Sequence, residues 1–159
     1  MQPTTPEEAL ENTIDELKRA DHLFYVSLKY TRTVDMIKHV IERIISTNEC
    51  AAEALLHFAK SKKLIKEVPT TSALRVELLK KTYPNDVYVQ DALNLLALML
   101  KLRRAKYTAR EEYRRHVTMI ATLDSKEIVE VKIDTLSVDY QKTKDFVDYV
   151  RNMILGREH

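Results

Sequence analysis

The sequence predicts a mainly α-helical protein, an up-and-down helical bundle with a long N-terminal helix and a small β-hairpin before the last helix. Apolar residues recur at three- and four-residue spacing along most of the chain, as on the buried face of a helix. The spacing changes to strict alternation only within residues 117–133. At 159 residues the chain has the size of one domain, so a single domain over residues 1–159 is expected.

Gly156 is the only glycine in the chain, and this excludes several classes of protein. Phosphate-binding P-loops, the glycine-rich turn of dinucleotide-binding folds and the nucleophile elbow of hydrolases all need glycines at fixed spacing. The sequence therefore excludes nucleotide binding by those two loops and excludes the hydrolase elbow.

The N-terminal helix has a clear start signal. Thr5 is predicted to be its N-cap, Pro6 occupies its first position, and Glu8 can close a capping box. Neither proline nor glycine interrupts residues 7–48, and apolar residues keep helical spacing across them. We predict one very long helix, or two nearly collinear helices that meet near residues 19–22.

Capping residues and prolines predict the boundaries of the later helices. The helices are expected to start after Asn48, after Thr71 or Ser72, and after Asn85 or Asp86, with Pro69 and Pro84 ending the first two. Thr108 and Glu111 have the spacing of another capping box. This predicts that the basic segment that follows the third of these helices is itself helical.

Residues 117–133 have the pattern of a β-hairpin. Apolar and polar residues alternate over 117–123 and again over 127–133, separated by a short polar turn. The apolar members Val117, Met119, Val129 and Val131 should pack on the helices. Ser137 is then predicted to cap a last helix over about residues 138–155, which Gly156 ends.

Charge is unevenly distributed although the net charge is only +2. Residues 101–116 hold seven basic side chains and two glutamates, and residues 7–21 hold six acids and two basic residues. Tyr107 and Tyr113 lie among the arginines, a combination that suits contacts with RNA phosphates and bases. The alternative is a basic helix that faces solvent or an acidic protein partner.

No metal or cofactor site is predicted. Glu53 and His57, like His39 and Glu42, lack the Glu-x-x-His spacing of di-iron bundles, so surface histidines are the simpler interpretation. Cys50 lies among alanines on a predicted core face and is interpreted as a packing residue.

Composition favours a cytoplasmic protein. A single cysteine cannot form an intramolecular disulfide, which is typical of a reducing compartment. The first ten residues lack the apolar core of a signal peptide, and no apolar run is long enough to span a membrane.

A polar series marks one face of the predicted N-terminal helix. Asp21, Tyr25, Lys29 and Arg32 follow at helical spacing, and Asp21 interrupts an otherwise apolar face. A carboxylate in that position needs a partner. We expect an arginine or lysine of the basic segment to pair with it, and the alternative is a pocket for a small ligand near Asp21.

Layout and motifs together suggest a family. The chain has a long helical hairpin, further helices, and an Arg110-x5-His116 motif close to a last helix. This arrangement resembles the HEPN superfamily, whose signature is an arginine and a histidine separated by four to six residues. The segments 20–23, 29–32 and 113–117 are also similar to an uncharacterised archaeal group within or near that superfamily.

The resemblance implies an α-helical homodimer directed at RNA, either a metal-independent ribonuclease or an RNA-binding module. Arg110 and His116 would be catalytic, the arginine stabilising the charge of the reacting phosphate and the histidine transferring a proton. The expected phosphate contacts are Lys29, Arg32, Arg114 and Arg115. Arg32 and His39 have nearly the same spacing as the motif, and Glu111 departs from the residue types that often follow the arginine in the family.

A second hypothesis is a non-catalytic, dimeric helical module that binds another protein through its acidic or basic segment. In either case a homodimer is expected to form through the long N-terminal helix. The apolar residues within 10–45 form a long stripe, and large exposed stripes usually mark interfaces.

Overall fold

The computed structural model describes residues 2–157, which form five helices and a three-stranded sheet. The sheet lies between the fourth and fifth helices in the chain. The mainly helical prediction with a small sheet before the last helix is therefore confirmed. The elements are α1 (Pro6–His22), α2 (Val34–Ser61), α3 (Ser72–Thr82), α4 (Val87–Arg104), β1 (Lys106–Arg110), β2 (Thr118–Thr122), β3 (Ile128–Lys132) and α5 (Ile133–Leu155).

The N-terminal half is a helical hairpin and not one straight helix. After α1 the chain continues as a π-helical turn, Leu23–Ser27, and one α-helical turn, Leu28–Tyr30. Residues 31–33 form an extended linker, and Thr33 caps α2 by accepting a hydrogen bond from the Met36 amide at 3.2 Å. The prediction of one long or nearly collinear helix over 7–48 is wrong, because a threonine cap starts a new helix without any glycine or proline.

The two arms of this hairpin run antiparallel and pack along their length. Near the open end Ala9 packs with Ala52 and Leu55, and further along the Glu16 carboxylate pairs with the Arg43 guanidinium at 3.4 Å. The apolar stripe expected to form a dimer interface is largely buried within the chain. Ile37, Ile41 and Ile44, for example, are buried inside the chain, so this reason for expecting a dimer is wrong.

Asn48 lies in the middle of α2 and not at its start. Its amide nitrogen donates to the Ile44 carbonyl at 2.8 Å and to the Thr143 hydroxyl on α5 at 3.0 Å. The predicted break at Asn48 is therefore wrong. The side chain connects two helices laterally.

Local side-chain caps start three of the helices as the sequence predicts. Thr5, Thr71 and Asp86 each accept a hydrogen bond from a backbone amide of the first turn, at 3.1, 3.4 and 3.2 Å. The capping box is altered, since the Glu8 carboxylate accepts from the Thr4 amide and not from the Thr5 amide.

The last helix begins earlier than predicted and ends where predicted. It starts at Ile133, directly after β3, so Ser137 is inside the helix and the predicted cap is wrong. Gly156 has a φ of 70°, the left-handed conformation that commonly ends helices and that glycine adopts without a steric penalty.

The sheet is antiparallel, with β2 in the centre. The two strands predicted within 117–133 are confirmed as β2 and β3, but β1 was missed. Thr108 pairs with Ile120 in the ladder, so the capping box predicted at Thr108 and Glu111 is wrong. A strand forms there because β2 offers it a complete set of backbone partners.

The inner face of the sheet closes one end of the core. Val117, Met119 and Val131 are buried against the helices, and Val129 packs at the margin, as predicted. β1 is an edge strand of this sheet and is exposed along its whole length. The loop 111–117 begins where β1 ends.

Candidate nucleic-acid interface

The loop that connects β1 to β2, residues 111–117, is backbone-strained. Glu111 and Tyr113 have φ values of 55° and 64°, in the left-handed region that non-glycine residues rarely adopt. Each such residue costs roughly 1 kcal/mol or more. Conformations of this kind persist where surrounding contacts impose them, and they cluster at functional sites.

Contacts with the linker 31–33 hold this loop in place. The Tyr113 amide donates to the Arg32 carbonyl at 2.7 Å, and the Arg32 guanidinium donates to the Arg115 carbonyl at 3.3 Å. The Glu112 carboxylate accepts from the Val34 amide at 3.2 Å. Val34 is the first residue of α2, where the helix dipole favours an anion. Backbone contacts and side-chain contacts therefore both hold the loop against the linker 31–33 and the start of α2.

Docking brings together the predicted phosphate contacts from two distant parts of the sequence. Arg32 contacts the loop that carries Arg114 and Arg115, whose side chains are exposed. Lys29, also exposed, lies on the last helical turn before the linker. We call the surface formed by Lys29, Arg32, Arg114, Arg115 and His116 the basic junction.

Two tyrosine rings lie beside these cations. Tyr30 and Tyr113 are 79% and 78% exposed, the most exposed of the large apolar and aromatic side chains in residues 2–157. Rings this open can stack on unpaired bases. Tyr107 has a different role, because the Lys38 ammonium lies over its ring at 4.4 Å from the centroid.

Arg110 and His116, the predicted catalytic pair, lie at the same end of the sheet but are not joined. Arg110 ends β1, opposite Thr118, so its predicted place in a helix is wrong. Its guanidinium forms an ion pair across the sheet with Glu130. His116 is exposed in the loop, and its carbonyl accepts from the Thr118 hydroxyl at 2.9 Å.

The ion pair between Arg110 and Glu130 is weak enough for Arg110 to change partner. Both side chains are nearly half exposed, at 47% and 46%, and such pairs contribute only about 0–1 kcal/mol. An incoming phosphate could therefore compete with Glu130 for Arg110. Arg110 and His116 can act on one phosphate only after that phosphate has replaced Glu130 as the partner of Arg110.

Asp21 has a partner other than the expected arginine or lysine. Its carboxylate accepts a hydrogen bond from the Tyr140 hydroxyl on α5 at 2.6 Å, so the predicted pairing with the basic segment is wrong. Burial, and then the hydrogen bond and charge of Asp21, raise the pKa of Tyr140. The Phe24 ring stacks on Tyr140 at 5.2 Å, which makes this cluster a structural contact of the π-helical turn.

Cys50 is not a reactive thiol in this structure. Burial first, and then the charges of Glu16, Glu53 and Glu49, raise its pKa to about 11. It stays protonated at neutral pH and cannot act as the thiolate nucleophile.

The histidines and acids do not assemble into a metal site. No group of three His, Cys, Asp or Glu side chains within residues 2–157 is placed to hold a metal ion. His57, expected at the surface, is buried, and its imidazole lies 3.8 Å from the Glu53 carboxylate. Burial lowers the pKa of His57.

Searches of protein-family models, of curated proteins and of solved structures find no match to this chain. Across the part of the chain that the structure describes, none of the helices combines the length and apolar character that crossing a membrane requires.

Sequence reasoning missed the residues that hold the site together. Glu112 and Thr33 belong to no motif that predicts a contact between the loop and the linker 31–33. Glu130 was interpreted only as part of the polar face of a strand. The single available signal was the cluster of β-branched residues at 31–34, which favours extended backbone.

Replacing Glu112 tests the docking directly. Glu112→Ala removes the acceptor at the start of α2, and we expect the loop to detach more often. The Tyr113 amide, which donates to Arg32, should then exchange with solvent at least several-fold faster. Hydrogen exchange followed by NMR measures this rate.

Glu111→Ala is the matched control, because Glu111 is exposed and its carboxylate makes no hydrogen bond or ion pair in the described residues. Equal exchange of the Tyr113 amide in the Glu112 variant, the Glu111 variant and the unchanged protein would show that the Glu112 contact does not hold the loop.

Proposed function

We propose that this protein is a HEPN-like, RNA-directed protein with an up-and-down helical bundle, and that its basic junction binds the RNA backbone. The observation that supports this most is the docking of loop 111–117 on the linker 31–33. It places Arg32 against Arg115, 83 positions later in the chain. The side chains predicted as phosphate contacts therefore belong to two segments that contact each other, and none of them forms an ion pair with an acid among residues 2–157.

The chemistry of the junction fits an RNA strand. Arginine guanidinium groups bind phosphate through paired N–H donors, and the exposed rings of Tyr30 and Tyr113 offer surfaces for bases. Glu112, an acid of the same loop, already accepts a hydrogen bond from the Val34 amide. Its charge is thus partly balanced by the helix start and opposes RNA less than a free carboxylate would.

The catalytic form of this proposal assigns cleavage to Arg110 and His116. His116 would transfer a proton and Arg110, once released from Glu130, would stabilise the charge on the reacting phosphate. The position of both residues at one end of the β1–β2 ladder supports this assignment. An RNA-binding module without cleavage uses the same junction and leaves Arg110 paired.

RNA affinity should depend steeply on salt and on the junction. Arg114→Ala combined with Arg115→Ala is expected to weaken binding of a short RNA. The slope of log affinity against log salt should fall by roughly 1.4, because about 0.7 counterion is released for each of the two phosphate contacts on a single strand. Fluorescence anisotropy over a salt series measures both quantities.

Lys80→Ala combined with Lys81→Ala is the control, since it removes the same charge from exposed positions at the end of α3. Equal losses in the two double variants would mean that binding follows net charge alone. Absence of binding at low salt would remove the RNA proposal.

If the protein cleaves RNA, cleavage should persist in EDTA and depend on both motif residues. His116→Ala should lower the rate by about 10²–10⁴, as expected for a lost general acid or base, and Arg110→Ala should be similarly damaging. Glu130→Gln should raise the rate, because it releases Arg110. Gel analysis of a labelled RNA gives these rates.

His39→Ala is the control for the second Arg–His spacing and should leave cleavage unchanged. Undiminished cleavage in the His116 variant would show that the catalytic assignment is wrong, while binding through the junction could still hold.

The alternative, a dimeric module that binds a basic protein, is favoured by one feature of α1. Glu7, Glu11 and Asp15 are exposed at four-residue intervals and form no ion pair within residues 2–157. Like charges in this spacing repel each other and are balanced best by a basic partner. Homodimer formation is part of both proposals, and a mass of 18.6 kDa in solution would contradict it.

A further inference from the structure

A groove lies between α4 and α5, away from the basic junction. It encloses about 540 Å³, a volume within the usual range of small-molecule sites. Leu95, Leu98 and Phe146 provide an apolar surface in it, and Asp91, Asp139 and Asp145 provide carboxylates. An apolar groove with a few acidic groups is suited to a ligand that is both apolar and positively charged.

Asp139 is the unusual member of this lining. The residue is only 9% exposed, yet its carboxylate forms no hydrogen bond or ion pair with the described residues. Its carbonyl, and not its carboxylate, accepts the Thr143 hydroxyl. Lys142, the one cation of the lining, is exposed and forms no ion pair with it.

A buried carboxylate without a partner costs free energy of folding. Burial raises the pKa of Asp139, and the positive charge of Lys142 offsets only part of that rise. Asn48 and Thr143 bond to each other and to backbone carbonyls, and Asn48 Oδ1, which has no hydrogen-bond partner among the described residues, is an acceptor that cannot balance an ionised carboxylate. A cation that enters the groove would balance it.

We infer that the α4–α5 groove is a binding site for a small organic amine with an apolar body. The ammonium group pairs with Asp139, while Asp91 and Asp145 add negative potential at the rim. The apolar part of the ligand lies against Leu95, Leu98 and Phe146. This site does not depend on the RNA proposal and shares no residue with the basic junction.

The test uses 2-phenylethylamine as the probe and 2-phenylethanol as its uncharged counterpart, with binding followed by NMR of backbone amides. The amine should shift the amides around Leu95, Asp139 and Phe146, and the alcohol should bind at least ten-fold more weakly. Asp139→Asn, which preserves shape and removes charge, should lower the amine affinity at least ten-fold.

Asp145→Asn is the matched control. It removes the same charge from an exposed residue of the lining, so it should change the amine affinity by no more than about three-fold, as expected for a solvent-screened charge. Asp139→Asn should also raise the melting temperature, by about 2–4 °C, because a neutral amide costs less to bury than a carboxylate. This stabilisation shows that the carboxylate is not there to support the fold.

Equal binding of amine and alcohol, or unchanged amine affinity in the Asp139 variant, would overturn the inference. A lower melting temperature of that variant would assign Asp139 a structural role and would also overturn it. Binding of a helical peptide of leucine and lysine without any binding of the amine would assign the groove to a partner helix and not to a small ligand.

Discussion

The hydrogen bond from the Tyr113 amide to the Arg32 carbonyl, 2.7 Å long, fixes the position of the basic loop. Without it, the strained turn at Glu111 and Tyr113 has little to balance its backbone cost. The Arg32 guanidinium and the Glu112 carboxylate reinforce the same contact from either side. The surface proposed to bind RNA therefore forms only while loop 111–117 stays in contact with the linker 31–33.

The break in the N-terminal hairpin makes this contact possible. A helix continued through residues 31–33 would use the Arg32 carbonyl in its own hydrogen bonds and leave nothing for Tyr113 to reach. Because Thr33 caps α2, a new helix starts at Val34. The Arg32 carbonyl is then free to accept from Tyr113, and the Val34 amide is free to donate to Glu112. Folding of the hairpin and assembly of the junction therefore depend on the same three residues.

Sequence reasoning predicted well wherever structure is decided locally. Thr5, Thr71 and Asp86 each bond to an amide three residues away, so the caps are visible in the sequence. The alternation within 117–133 predicts β2 and β3 for the same reason, since Met119, Ala121 and Val131 recur at every second position and are buried. The residues of the junction were chosen from charge and from the family resemblance, and their contact with RNA stays a prediction.

The parts that failed are decided by distant contacts. β1 has no buried face, so it shows no alternation, and only pairing with β2 makes it a strand. Asp21 was expected to pair with a basic residue, but Tyr140, 119 positions later, supplies the hydrogen bond. Asp139 belongs to no sequence motif, and its burial follows from the packing of α4 beside α5.

An NMR titration of the labelled protein with a short single-stranded RNA tests the central claim most directly. If the junction is one binding surface, amides of residues 29–32 and of residues 113–116 should shift together and with the same affinity. Shifts confined to one of these segments, or centred on Lys80 and Lys81 instead, would contradict it.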